Sequence, residues 1–284
     1  MNQNRITIKI GESDEIFEDV QSLHRTIWGL SDLEVTPTHI YMAAHHAGGK
    51  ILCAYAGDEP VGYVFGFPGV DAENNPYFYS HNLAVLEKWR NRGIASRLKL
   101  RLREVLLESG FNLVKWTYEP LDSKNAYAYI GKLGGISNTY HREYYGEMRD
   151  EINRGLPSDR LVIDWFIQSN HVSRKIKREA LRTSLEEIQE ANIPLNSIGW
   201  KNAVPYPREE DAALNVREVD QYYFEIPTNL DDLRESSPEA VLEWRFHVRT
   251  LLETGFAKGL SITDAVYNQQ RFFYILEPFQ STDN

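Results

Sequence analysis

Only one of the 284 residues, Cys53, is a cysteine, so neither an intramolecular disulfide nor a thiolate metal cluster can form. No stretch approaches the roughly 20 apolar residues that a membrane helix needs. The opening segment MNQNRITIKI lacks the charged-then-apolar run of a signal peptide. These absences set the expectation of a soluble protein in a reducing, cytoplasmic compartment, with no membrane partner. Positive charge is also short, since 31 Lys and Arg face 41 Asp and Glu, a formal net charge of −10. That balance works against general affinity for nucleic acid. Gly131-Lys132 lacks the earlier glycine and the following Ser or Thr of a P-loop. His39, His45 and His46 have no arranged carboxylate or cysteine beside them, so no metal is expected.

What is present is ordinary globular material, 42% apolar and 25% charged, enough for one large domain or two smaller ones. The charge is unevenly spread. Residues 86–103, LEKWRNRGIASRLKLRLR, hold seven Lys or Arg and one Glu, a local +6 that leaves −16 for the rest. A short basic island in an acidic chain points to a small anionic ligand.

Period-two alternation predicts strands over Arg5–Ile10, Ile51–Ala56, Val61–Phe67, Tyr77–Val85, Leu113–Tyr118 and Leu161–Gln168. Three- and four-residue spacing predicts helices over Ser13–Trp28, Pro37–Ala47, Ile94–Glu108 and Ser123–Leu133, with Ser123 as an N-cap. The plan is α/β. Beyond Gln168 the chain turns polar and reads as a connection with one surface helix. A strand at Gln221–Ile226, a helix at Pro238–Ala257 and strands at Ser261–Tyr267 and Arg271–Leu276 follow. The expected domains are therefore 1–168 and an α/β extension over 169–284.

The central signal is Leu83-Ala84-Val85 at a strand end, followed by Arg90-Asn91-Arg92-Gly93-Ile94-Ala95 at a helix start. A helix N-terminus offers unpaired backbone N–H groups and a positive dipole end, which together suit phosphate. Gly93 lets the backbone approach closely, and Arg90 and Arg92 add charge.

Arg90, Gly93 and Ala95 after a strand reading L-A-V resemble the acyl-CoA loop of the GNAT acyltransferases. GYVFGF (62–67), NLVKWTY (112–118) and NAYAYIGKLGG (125–135) extend the likeness from Arg5 to about Gln168. WTYEPLDSKNA (116–126), EYYGEMRDEINRGLPSDRLVIDW (143–165) and VLEWRFHVRTLLETGF (241–256) are similar to a narrower subgroup with a C-terminal extension. That subgroup includes amino acid N-succinyltransferases associated with N-succinylamino acid racemase. The resemblance implies a mixed, mostly antiparallel sheet flanked by helices, with a C-terminal extension like a degenerate half of that fold. It implies acetyl- or succinyl-CoA as co-substrate and a small-molecule amine, such as an amino acid, as acceptor. A peptide or polyamine acceptor and a CoA-binding sensor without catalysis are the rival readings, and a homodimer is left open.

The resemblance also assigns residues. Backbone groups of Leu83, Ala84 and Val85 would hold pantetheine where the strand Tyr77–Val85 parts from Leu113–Tyr118. Residues Arg90, Asn91, Arg92, Gly93, Ile94, Ala95 and Ser96 would hold the phosphates. Asn125 either caps its helix or bonds the pantetheine. Alternation places Tyr77, Tyr79, His81, Leu83 and Val85 on one side of their strand. His81 is then the candidate base, or else a hydrogen-bonded structural histidine. Glu34 is a weaker base candidate on the substrate side. Many family members place a Tyr four residues before the glycine of the LG segment, and Ile130 stands there instead. Tyr129 is its neighbour, and Tyr140, Tyr144 and Tyr145 are further candidates for the acid. Arg160 could hold a substrate carboxylate, or with Asp159 simply fix its loop. Glu243, Trp244, Arg245 and Arg249 read as packing and surface.

Overall fold

A computed structural model describes residues 5–146, 157–178, 185–209 and 221–279. Contacts divide the chain into two compact units, Met1–Trp116 and Thr117–Asn284, and the boundary expected at Gln168 falls inside the second.

The first unit runs β1 (Ile6–Ile10), α1 (Asp14–Trp28), α2 (Thr38–His46), β2 (Lys50–Ala56), β3 (Glu59–Val70), β4 (Pro76–Val85), α3 (Ile94–Glu108) and β5 (Leu113–Tyr118). α1 forms because Ile16, Phe17, Val20 and Leu23 share one face, and Asp14 and Glu15 complement its N-terminal dipole. That face packs on Ile51, Cys53, Tyr55, Tyr63 and Phe65 from β2 and β3. Each such side chain contributes about 1.5–3 kcal/mol on burial. β1, β2, β3 and β4 are joined as antiparallel neighbours, and β4 pairs with β5 in parallel.

One irregularity in this sheet matters for the site. Phe65 pairs with Asn82 but Phe67 pairs with Tyr79, two steps on β3 against three on β4. One extra residue is accommodated around Ser80–His81 as a bulge. Directly paired residues share a face, so Asn82 and Ala84 lie on the Tyr79 side, with Phe65 and Tyr63. The expected single face Tyr77-Tyr79-His81-Leu83-Val85 is therefore broken. Leu83 and Val85, paired with Val64 and Gly62, turn to the opposite side.

The second unit opens with α4 (Ser123–Ala126), which continues into a π-helical turn over Tyr127–Lys132. β6 (Ile136–His141), β7 (Arg160–Phe166), α5 (Asn170–Lys177), α6 (Leu185–Ala191), β8 (Ile193–Pro194), β9 (Asn196–Lys201) and β10 (Val204–Glu209) follow. β11 (Tyr222–Ile226), α7 (Leu230–Ser236), α8 (Pro238–Ala257), β12 (Leu260–Asn268) and β13 (Arg271–Pro278) complete it. Its sheet order is β7-β6-β12-β13-β11-β8, and β9 and β10 form a separate hairpin. α8 starts where expected because Ser237 Oγ accepts from Ala240 N and Pro238 occupies the first turn.

Some expectations need correction. Asp122, not Ser123, caps α4, accepting from Asn125 N at 2.9 Å. The polar connection carries two helices, α5 and α6, with 179–184 between them outside the described residues. β6, the β9–β10 hairpin and α7 had no sequence counterpart. The architecture is the expected mixed, mostly antiparallel sheet flanked by helices, with extra C-terminal strands.

Candidate functional site

The basic loop closes β4 and opens α3. A single 3₁₀ turn over Glu87–Trp89 leads to Asn91 at φ +60° and Gly93 at φ +74°, both left-handed. Asn and Gly are the residues that reach this region at least cost. A Cβ on Gly93 would meet no protein atom within 4 Å, so its conformation, rather than protein crowding, calls for glycine here. α3 then starts without a side-chain cap and without an acidic residue in its first turn. By contrast, α1 opens on Asp14 and Glu15, and Ser169 and Ser237 cap α5 and α8. No side chain of the cap position therefore competes for the first-turn N–H groups of Ile94, Ala95 and Ser96, the groups an anion would use.

The basic island resolves into separate tasks. Lys88 pairs with Glu59 at 2.5 Å, Arg101 with Glu104 at 2.7 Å, and Arg97 donates to Ile6 O at 2.7 Å. Arg90 and Arg92 remain beside the helix start. Arg90 Nε donates to Val85 O at 3.2 Å, and the Arg92 guanidinium lies 4.7 Å from the Trp89 ring centre. Leu83, Ala84 and Val85 end β4 next to them. The loop therefore brings two cations to a helix start, an arrangement that suits an anionic ligand.

His81 sits at the bulge. Its side chain is exposed, and its ring lies 5.9–6.3 Å from those of Phe65, Phe67 and Tyr79. Partial desolvation holds its pKa below the ordinary 6.5, which favours the neutral ring at pH 7. A second histidine, His24 on α1, escaped the sequence reading. It is buried, 3.4 Å from Tyr41 Oη, and its pKa is lowered by burial and by His81. Its place on the inner face of α1, one step after Leu23, was the available signal. Glu34 lies exposed, its carboxylate accepting from Ser31 N and Oγ at 3.2 and 2.7 Å. Those bonds keep it below the usual carboxylate range, which disfavours it as a base.

The second unit holds the remaining candidates. Tyr129 lies in the π-helical turn, edge-on to Tyr118 at 5.8 Å. Burial and the charge of Asp122 push its hydroxyl well above 10, so it stays protonated. Gly131 faces Ala265 O so closely that a Cβ would collide, which brings the turn against β12. Asn125 Nδ2 donates to Asp122 Oδ2 at 2.7 Å. Tyr140 donates to Asp159 at 2.6 Å, Tyr144 is exposed, and Tyr145 shares a 3.3 Å contact with Thr117 Oγ1. Arg160 is buried, donating to Asp159 O at 2.7 Å and to Glu119 at 3.4 Å, with Tyr145 5.2 Å from its guanidinium. Arg245 donates to the same Glu119 at 2.5 Å, and Arg249 grips Asp159 at 2.8 and 2.9 Å. Arg245 is 1% exposed, so within the packing-and-surface reading of its helix it belongs to the packing. Residues 147–156 of the loop singled out before Arg160 lie outside the described residues. An open cavity of about 260 Å³ near Trp200, Asp232 and Arg271 is lined by none of the candidate residues.

No helix among the described residues is long and apolar enough to cross a membrane. No curated protein matches the chain significantly. Among solved structures, an aminoglycoside 6′-acetyltransferase type Ii is 16% identical, with a TM-score of 0.45 over 57% of this chain and 97% of that one. A GNAT family acetyltransferase from Elizabethkingia anophelis with acetyl-CoA bound is 15% identical, with a TM-score of 0.41 over 57% and 99%. A chain of the NatC complex bound to Gag peptide and CoA is 18% identical, with a TM-score of 0.45 over 56% and 97%. Residues 14–134 match the model of the acetyltransferase (GNAT) family, spanning α1 to the end of the LG segment and including the whole RNRGIA loop. That match spans less than half of the chain, and over it the chain is similar to the acetyltransferase (GNAT) family.

Proposed function

We propose that this chain transfers an acetyl or succinyl group from acyl-CoA to the amine of a small molecule, with an amino acid as the preferred acceptor class. The setting proposed is cytoplasmic, with 169–284 as an extension of the catalytic domain. The uncapped start of α3, with left-handed Gly93 and flanking Arg90 and Arg92, carries the reading. It offers a phosphate carrier backbone donors and two cations at one point.

Acyl transfer to an amine requires loss of an amine proton, a donor toward the carbonyl oxygen, and departure of a thiolate. In this reading His81 is the base. Its lowered pKa keeps the lone pair available at neutral pH, at some loss of basicity. On the resemblance, backbone groups of Leu83, Ala84 and Val85 hold the pantetheine, and an N–H there is assigned to the carbonyl oxygen. Tyr129 is the proton donor to sulfur, with Tyr145 the alternate. In an α-helix the family's tyrosine stands four residues before the glycine. A π-helical turn adds one residue, and Tyr129, five before Gly134, is assigned that role in place of Ile130. Arg160 is assigned to a substrate carboxylate and Glu34 to the acceptor side, both on the resemblance.

A thiol-release assay pairing acetyl- and succinyl-CoA with D- and L-amino acids, a polyamine and a short peptide tests this. Release with an amino acid supports the proposal, and release only with polyamine or peptide redirects it. CoA binding without release from any pair favours a sensor.

A further inference from the structure

Lys99 is the sixth residue of α3, the helix whose start is the proposed phosphate site. It is 1% exposed, among the largest fully buried side chains of the protein. Its Nζ donates to Ser80 Oγ at 2.9 Å and lies 3.5 Å from the Trp116 ring centre. These two contacts sit at a special place. β4 and β5 register at Phe78↔Val114 and Tyr79↔Lys115, and no further pair is registered between them among the described residues. Ser80 and Trp116 are the next residues on the two strands, both buried. The amine thus reaches from α3 to the point where the parallel strands stop pairing, and it touches both. Ser80 also belongs to the bulge that turns β4.

We propose that Lys99 is a positioning residue for the acyl arm of the ligand, fixing the parting of β4 and β5 through Ser80 and Trp116. The proposal rests on the acyl-CoA reading above. A buried amine that donates to a hydroxyl and faces an indole sets a fixed spacing between the strands, which a flexible apolar chain would not. It also ties the acyl slot to the phosphate-binding helix within little more than one turn. Desolvation lowers the amine's pKa well below 10.5, which reduces the cost of keeping it there.

Calorimetry on the full chain with two probes tests the proposal, using acetyl-CoA and adenosine 3′,5′-bisphosphate, which lacks the pantetheine arm. Lys99→Met keeps the length of the side chain and removes the donor. Acetyl-CoA should bind at least tenfold more weakly to it, while the bisphosphate stays within twofold and the melting temperature holds. Ser80→Ala should reproduce most of the effect, and the double variant should be no weaker than Lys99→Met alone. Ser80→Ala carries the test by itself if Lys99→Met does not fold. Equal loss of both ligands, no loss of either, or simple additivity would overturn the proposal. Failure of the unaltered protein to bind acetyl-CoA would instead overturn the acyl-CoA reading on which it stands.

Discussion

At the scale of single residues, Gly93 separates stability from ligand binding. Its left-handed φ costs a side chain, but Asp is among the residues that tolerate it, and no protein atom obstructs the new Cβ. A carboxylate there also complements the dipole of α3. Gly93→Asp should therefore fold with a melting temperature close to that of the parent. It should bind CoA at least about a hundredfold more weakly, because like charges about 4 Å apart cost roughly 4 kcal/mol near a protein surface. Unchanged CoA affinity by calorimetry would remove the loop as the phosphate site. His24 gives a second prediction. Its folded pKa lies below its unfolded value near 6.5, so below that pH the unfolded chain binds the proton first. Stability is fully present above pH 6.5 and is lost as pH falls through the window below it. His24→Gln should flatten the decline of melting temperature between pH 7 and 5, and an unchanged slope would show that His24 does not drive it.

At the scale of elements, the π-helical turn invites a kinetic test. If Tyr129 protonates sulfur, Tyr129→Phe should lower kcat about tenfold with little change in KM. The effect is modest because a thiol with pKa near 8.5 leaves with limited help. Unaltered kcat would leave Tyr145 as the acid or none at all. That turn also shows where the sequence stopped being informative. α3 was legible to its ends because Ile94, Leu98, Leu102, Val105 and Leu106 repeat at helical steps and Gly110 follows. The loop before it stood out because Asn91 and Gly93 are the residue types that reach left-handed backbone, set among arginines at a helix start. The π turn was not, since an inserted residue in a helix changes the phase without any local signature. The bulge at Ser80–His81 was hidden for the same reason, and it undid the predicted face of β4. β9 and β10 were missed because they lie in the stretch read as a polar connection, and a two-stranded hairpin tolerates Pro205 and Pro207 where no N–H is needed. Lys99 was discernible in part. It shares a helix face with Leu102 and Leu106, but within a run of basic residues it passed for a solvated charge.

At the scale of the molecule, the formal −10 and the local basic loop act over different distances on an anionic ligand. At 0.01 M salt the Debye length is about 30 Å, so an approaching polyphosphate senses the acidic bulk of the chain before the loop. At 0.1 M it shrinks to about 10 Å, and only the charges around Arg90 and Arg92 still count. Of the other basic side chains of the island, Lys88 and Arg101 are paired with Glu59 and Glu104, and Lys99 is buried with a lowered pKa. The association rate of CoA should therefore rise, or at least not fall, between 10 and 100 mM salt. The dissociation rate should rise over the same range, because screening weakens the short-range contacts with the two arginines. Stopped-flow measurement of both rates distinguishes this from a site ruled by one large positive field. In that case association would slow steeply with salt, as it does wherever long-range attraction steers the encounter. A steep slowing would mean that the loop's charge outweighs the acidic remainder even at a distance, and that the island is not divided as its contacts indicate.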